Sequence, residues 1–334
     1  MSANQNLWAL ILAAGDGRRL RALTTTQGGV TVPKQFCALE RGPSLLQEAL
    51  SRAERVTVLG QVYAIVAVDH RRWWTEQLES LPCQNIIEQP RNRGTANGIL
   101  LPLLHILERD PDARIVLLPS DHHVRDEGTL ARSLREAAAR EPSSWAEIVL
   151  LGLKPRQPDP ELGYIIPGRD TGDSYREVER FVEKPPVELA CELTDRGALW
   201  NAFIIAADGQ ALLKLFERRC PEVVRAMRDI MAATSAGPER LEALAQLYDE
   251  LAVLDFSTNI LQGHEQHLRV ATVPECGWSD LGTPQRVAEA LHGIPQTALR
   301  ARQRSNRGTV VSLAAQHRRL REAPFYGPDS SAAV

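Results

Sequence analysis

An apolar run that ends in a glycine turn sets the first constraint on this chain. Leu7-Trp8-Ala9-Leu10-Ile11-Leu12-Ala13 leads directly into Ala14-Gly15-Asp16-Gly17-Arg18-Arg19-Leu20, and Pro33-Lys34-Gln35-Phe36 follows. A short apolar run closed by glycines predicts a buried strand feeding a tight turn. Glycines at such a turn let backbone N–H groups approach an anion closely. Arg19 and Lys34 add positive charge that can reach the phosphates of a nucleotide. Two better-known phosphate loops do not fit. A dinucleotide fingerprint needs a third glycine where Leu20 stands, and no Gly-Lys-Ser/Thr completes a P-loop. Alone, the Gly-x-Gly turn is equally well a plain structural turn.

The charge balance narrows the partners. Across 334 residues the formal net charge is −3, so no global basic field attracts nucleic acid and any anion site must be local. The 5 cysteines are scattered without a Cys-x-x-Cys pair, which disfavours a zinc cage or disulfide framework and fits a reducing cytoplasm. The N-terminal apolar run is too short to span a membrane and lacks a cationic flank, so it reads as a strand rather than a signal peptide.

Strand-like runs at Trp8–Ala13, Val62–Val68, Asn85–Glu88, Arg114–Leu118 and Ile148–Leu153 alternate with helical periodicity near Ser44–Glu54, Arg71–Leu81, Gly94–Glu108 and Thr129–Arg140. That alternation predicts an α/β fold with a largely parallel sheet. From about Lys154 the texture shifts. Gly163–Ile166 and Glu177–Glu183 alternate like antiparallel strands, and Asn201–Ala206 reads as a buried one. Ala211–Met231 and Pro238–Leu251 read as helices, Leu268–Val273 as a return strand and Thr283–Leu291 as a closing helix. We divide the chain into a domain of residues 1–292 and an arginine-rich C-terminal tail of 293–334. The tail is expected to be partly disordered or a solvated helix or subunit contact, rather than a phosphate-binding arm.

Several segments carry chemistry. Asp121, in Pro119-Ser120-Asp121-His122-His123, falls just past a buried strand, the edge where open α/β sheets bind ligands. Asp280, in Gly277-Trp278-Ser279-Asp280-Leu281-Gly282, supplies a second acid from a distant position. Two such acids can meet around one hard cation, although each is equally a turn or helix cap. His122 and His123 point to opposite sides of an extended segment and are taken as loop histidines. Lys184 ends a strand before Pro185 and suits a second, monophosphate-bearing substrate, or is a plain surface lysine. Asn201 places an amide in an apolar run, where it must find a backbone or ligand partner. Arg93-Gly94-Thr95-Ala96 opens a helix with small residues that permit close approach to a ring, or with Thr95 as its cap.

Taken in order, the segments around Gly15, Lys34, Thr95, Asp121, Gly163, Lys184, Asn201 and Asp280 resemble the sugar-phosphate nucleotidylyltransferases, most closely the mannose-1-phosphate guanylyltransferase branch, over about residues 7–290. The resemblance implies a Rossmann-like, GT-A-like nucleotidyltransferase fold with a mixed, largely parallel central sheet. It also implies Mg²⁺-dependent transfer from a nucleoside triphosphate to a sugar-1-phosphate, here GTP and mannose-1-phosphate, giving GDP-mannose and pyrophosphate. The alternatives are another sugar phosphate with UTP, CTP or dTTP, or a non-catalytic nucleotide-sugar-binding regulator. By matching position, Arg19 and Lys34 would act on the nucleotide phosphates. Ala14, Gly15, Gly17 and Thr95 would bind the nucleotide, and Asp121 and Asp280 the Mg²⁺. Gly163, Glu183, Lys184 and Asn201 would bind the sugar phosphate. Neither nucleic acid nor membrane is expected as a partner, and the oligomeric state, homodimer or monomer, is left open. The family usually has Thr at Arg18, Gly at Ala14, Ser-Gly at Ala202-Phe203 and an acid where Asn259 stands. Phe203 is expected to narrow the sugar pocket.

Overall fold

The computed structural model describes residues 6–139, 148–170, 175–233, 237–292 and 310–322. Nine strands of the described residues form one sheet in the order β3-β2-β1-β4-β8-β5-β9-β7-β6. They are β1 (Leu7–Ala13), β2 (Val62–Ala67), β3 (Ile86–Gln89), β4 (Arg114–Pro119), β5 (Ile148–Leu153), β6 (Tyr164–Asp170), β7 (Arg176–Val182), β8 (Leu199–Asp208) and β9 (Leu268–Val273). β1 runs parallel to both β2 and β4, which explains its unbroken apolar sequence: neither face meets water.

The expected predominance of parallel pairing holds for β3-β2-β1-β4 and for β5–β9. β8 instead lies antiparallel to β4, β5 and β6, and β7 antiparallel to β6 and β9. The short reach from β6 to β7 leaves no room for the crossover that parallel pairing requires. Because β6 pairs with both β7 and β8, the sheet curls back on itself beside the parallel half.

Helices cover both faces: α1 (Arg21–Thr24), α2 (Leu45–Glu54), α3 (Arg71–Gln77), α4 (Gly94–Arg109), α5 (Glu127–Ala139), α6 (Val187–Asp195), α7 (Gly209–Arg219), α8 (Pro221–Ala233), α9 (Pro238–Glu250), α10 (Pro284–His292) and α11 (Leu313–Glu322). Alternate residues of β1 feed two cores. Leu7, Ala9 and Ile11 pack with α2, α5 and α10, whereas Trp8 and Leu10 pack with α4, α7 and α8. Ser44 starts α2 with a capping box, its hydroxyl accepting from Gln47 N while the Gln47 side chain accepts from Ser44 N.

The predicted helix over Ala211–Met231 is two helices, separated at Cys220. Pro221 has no N–H to continue the first helix, and its fixed φ starts the second. α6, after Pro185-Pro186, is an element that the sequence reading lacks. The expected tail is likewise divided. Residues 293–309 and 323–334, with the disorder expected there, lie outside the described residues. α11, however, docks on the domain. Leu313 N donates to Ala38 O, Ala314 N to Leu39 O and Ala38 N to Val311 O, and the Leu313 and Ala314 side chains are fully buried. Burying one leucine contributes about 2 kcal/mol, enough with those hydrogen bonds to hold a short segment in place.

Candidate active site

The loops at the C-terminal ends of β1 and β4 open onto a cavity of about 490 Å³, bounded on its far side by Glu161, Leu162 and Gly163 just before β6, Glu183 and Lys184 just after β7, and Asn201 and Phe203 of β8. Gly17 is in the left-handed region at φ +62°, and a Cβ there would stand 2.7 Å from the backbone N of Lys34. The loop can make this approach only with glycine. Gln35 holds it from below, its amide nitrogen donating to Ala13 O at 3.0 Å and Gly15 O at 2.7 Å. Ala14, Gly15, Gly17 and Arg19 all line the cavity.

Lys34 does not. It is 4% exposed, and its ammonium sits 2.8 Å from Asp121 Oδ2 while donating to Asp280 O at 2.6 Å. The lysine read from sequence as a phosphate ligand therefore lies beneath the cavity, tying the two acid loops together. A second tie is the pair of backbone hydrogen bonds between His123 and Ser279. Asp121 and Asp280 consequently face one space although 159 positions separate them.

The two oxygens of Asp280 differ. Oδ1 accepts from Gly282 N at 3.0 Å and from Arg286 at 2.5 Å, whereas Oδ2 is buried with no hydrogen-bond partner. Arg19 stands 3.7 Å from Oδ2 and 3.2 Å from Glu161. Burial opposes charge on Asp280, yet Arg286, His122 and Lys34 together hold its carboxyl below the usual carboxylate range. Asp121 is held low in the same way, against burial, chiefly by Lys34. Both acids are thus anionic at neutral pH.

A buried carboxylate oxygen that accepts no hydrogen bond and meets only Arg19 at 3.7 Å is well placed to take a closer cation. Among the described residues no group of three or more His, Cys, Asp or Glu side chains could hold a metal ion. Two carboxylate ligands nevertheless suit Mg²⁺, which keeps several waters and takes its remaining oxygens from phosphates.

His122 and His123 lie in a loop, as expected, but are largely buried there. His122 accepts from the Trp278 indole N–H at 3.3 Å, and burial pushes its pKa down to about 4, so it is neutral at pH 7. His123 is buried in the tie to Ser279.

At the other end of the cavity Lys184 stands 3.0 Å from Glu183. Gly163 backs onto Glu183 so closely that a Cβ would lie 2.6 Å from its Oε2, and Asn201 N donates to Gly163 O at 2.8 Å. The Asn201 side chain finds a backbone partner, Oδ1 accepting from Phe203 N at 3.1 Å. Phe203 lines the cavity, its ring edge-on to Phe256. The three non-glycine residues with positive φ among the described residues are Lys184, Phe203 and Leu281. Two line the cavity and the third adjoins Asp280. Backbone strain of this kind costs about 1–3 kcal/mol per residue and persists where surrounding structure enforces it.

Thr95 does not cap α4. Its hydroxyl donates to Asp255 at 3.1 Å and accepts from Phe256 N at 2.7 Å, placing the α4 start beside the 255–261 turn. The acid at this turn is Asp255; Asn259 caps it from within, accepting from Asp255 N at 2.7 Å. Gln89 also reaches the cavity with Oε1 buried and unpartnered. Sequence reading missed Gln35, Gln89, Glu161, Asp255 and Arg286. Of these, only Asp255 carried a local signal, an acid three residues before Thr258 in the spacing of a helix N-cap.

Residues 8–297 match the nucleotidyl transferase family. The chain belongs to that family. It is 30% identical over 285 residues to the alginate biosynthesis protein AlgA of Pseudomonas fluorescens, covering 82% of this chain and 56% of that one. It is also 30% identical to a mannose-1-phosphate guanylyltransferase of Salmonella montevideo, with 82% and 58% covered. The chain thus spans little more than half the length of these curated relatives. A crystal structure from Thermus thermophilus, described as a mannose-1-phosphate geranyltransferase, superposes with a TM-score of 0.72 at 26% identity, covering 87% of this chain and 80% of that one. The nucleotidyltransferase fold is therefore shared with solved relatives, as the resemblance implied. No helix among the described residues is long and apolar enough to cross a membrane.

Proposed function

We propose that this chain transfers a guanylyl group from GTP to mannose-1-phosphate, giving GDP-mannose and pyrophosphate. An oxygen of the sugar phosphate attacks the α-phosphorus of the triphosphate, and the bond to the departing pyrophosphate oxygen breaks. No covalent enzyme nucleophile is required, so positioning and charge neutralisation do the catalytic work. The supporting observation is the pairing of Asp121 with an Asp280 Oδ2 that accepts no hydrogen bond, in a cavity that has a cation at each end, Arg19 and Lys184.

Asp121 and Asp280 would hold Mg²⁺, which when bound neutralises triphosphate charge. The Gly15–Gly17 loop offers backbone to the phosphates, and Arg19 exchanges Glu161 for a phosphoryl oxygen. Lys34 keeps the two acids apart at a fixed spacing. Lys184 takes the sugar phosphate, with Glu183, Gly163 and Asn201 against the sugar. Gln89 Oε1 and the Thr95 end of α4 face the base, and a buried acceptor there favours a base edge rich in N–H donors, as guanine presents. Phe203 narrows the far end of the cavity. The names of the relatives support mannose as the sugar, and we place the reaction in the cytoplasm, on a homodimer or monomer. Residues 1–292 carry this chemistry, with 311–314 as a brace.

The test is a pyrophosphate-release comparison of GTP, UTP, CTP, ATP and dTTP, each with mannose-, glucose- and fucose-1-phosphate. GTP with mannose-1-phosphate is expected to give the highest kcat/KM. A preference for UTP or dTTP with glucose-1-phosphate would overturn the substrate assignment, and silence across the panel with tight nucleotide-sugar binding would favour a regulator.

A further inference from the structure

Arg286 lies on α10, six residues after Asp280, and touches two acids from different parts of the chain. One nitrogen donates to Asp280 Oδ1 at 2.5 Å, and the other to Asp159 Oδ2. All three side chains are largely buried. Asp280 Oδ1 is also bonded to Gly282 N, so both of its donors lie on one oxygen and the other oxygen is left for the cavity. With Gly282 N, the Arg286 nitrogen holds the plane of the carboxylate, so that one oxygen is engaged and the other is turned toward the cavity.

Asp159 organises the loop between β5 and β6. Its Oδ1 accepts from Glu161 N at 2.9 Å, its own N–H donates to the Tyr164 hydroxyl at 2.7 Å, and its carbonyl accepts from Leu162 N. That loop delivers Glu161 to Arg19 and Gly163 to Glu183. Arg286 therefore bridges the acid that faces the triphosphate end and the loop that shapes the sugar end, without lining the cavity itself.

We propose that Arg286 is a positioning residue that fixes the orientation of the Asp280 carboxylate, so that one oxygen faces the metal, and, through Asp159, locks the sugar-side loop to the metal-side loop. This rests on the functional reading above. Partners that orient a metal-binding carboxylate typically affect metal affinity or activity on the order of 10–100-fold. Arg286→Met keeps the bulk of the stem but releases both acids. Arg286→Lys keeps the charge while losing the fork. Asp159→Asn keeps the grip on Asp280 and weakens only the sugar-side link.

The experiment measures Mn²⁺ binding to the purified full chain by electron paramagnetic resonance, beside the Mg²⁺ dependence of pyrophosphate release and KM for the sugar phosphate. Melting curves confirm that each variant is folded. In Arg286→Met the Mn²⁺ affinity is expected to fall, and the half-saturating Mg²⁺ to rise, by about tenfold or more, with Arg286→Lys between it and wild type. Asp159→Asn is expected to leave Mn²⁺ affinity within about twofold while raising KM for the sugar phosphate several-fold. Unchanged Mn²⁺ affinity and Mg²⁺ dependence in both Arg286 variants, with lowered melting temperature alone, would overturn the proposal and reduce Arg286 to a packing role. If wild type releases no pyrophosphate yet Mn²⁺ binding falls in Arg286→Met, the functional reading fails while the positioning of Asp280 stands.

Discussion

Replacing Lys34 with methionine removes the one ammonium that joins the two acid loops. In the folded chain that group is 2.8 Å from Asp121 and 2.6 Å from the Asp280 carbonyl, with almost no access to water. Methionine fills most of the space, so the loss is electrostatic rather than a cavity. Removing one partner of a buried ion pair costs roughly 3–5 kcal/mol. Asp121 retains 36% exposure of its side chain, so water takes over part of the solvation and the lower end, about 3 kcal/mol, applies. For a chain of this length that lowers the melting temperature by about 4 °C. The orphaned Asp121 carboxylate then draws Arg19 inward, and the acids lose their spacing. Mg²⁺-dependent turnover should fall about 100-fold or more, the size of effect seen when charge stabilisation at a reacting group is lost. Differential scanning calorimetry and a coupled pyrophosphate assay read the two effects separately. A variant that melts within about 1 °C of wild type and keeps its turnover would refute Lys34 as the link between the acids.

Asp121→Asn and Asp280→Asn should each abolish Mg²⁺-dependent pyrophosphate release, and the double variant should be little worse than either; mild, additive losses would mean that the acids do not share an ion. Gly163→Ala places a Cβ 2.6 Å from Glu183 Oε2; pushing that carboxylate aside should raise KM for the sugar phosphate about tenfold with KM for GTP unchanged, as steady-state kinetics will read. Stability should fall as pH drops from 6.5 towards 4. His122 titrates at about 4 in the folded chain against 6.5 ordinarily, so the unfolded state binds the extra proton first, worth up to about 3 kcal/mol. Urea unfolding of His122→Gln across that window should show a flatter slope than wild type, with His105, also pushed down to about 4 by burial, and His70, lowered by burial, contributing to what remains.

What could be read from sequence follows from where each signal resides. β1 and its glycine turn were legible because a strand buried on both faces writes its burial into seven consecutive apolar residues, and Gly17 needs a conformation that few residues adopt. The strands β5 and β9 likewise matched their predicted spans. Arg286, Glu161 and Gln35 were not legible, since each is one polar residue among many until a loop from elsewhere in the chain lies against it. The role of Lys34 was obscured for the same reason: a lysine after proline looks alike whether it meets a phosphate or a buried carboxylate. The break at Pro221 and the helix after Pro186 did carry local signals in their prolines, overridden by the apolar periodicity on either side. Antiparallel pairing in the second half was only partly visible, because a central antiparallel strand such as β8 is buried as fully as a parallel one.

The most direct measurement of the central claim is ³¹P NMR of the complete reaction, with GTP, mannose-1-phosphate, Mg²⁺ and the full chain, repeated with EDTA. The account predicts that the γ-phosphate resonance of GTP and the monophosphate of the sugar disappear together, replaced in equal amounts by pyrophosphate and the two coupled signals of GDP-mannose, and that EDTA prevents all of it. Persistence of both substrates with Mg²⁺ present, or release of inorganic phosphate without the diphosphate sugar, would contradict it.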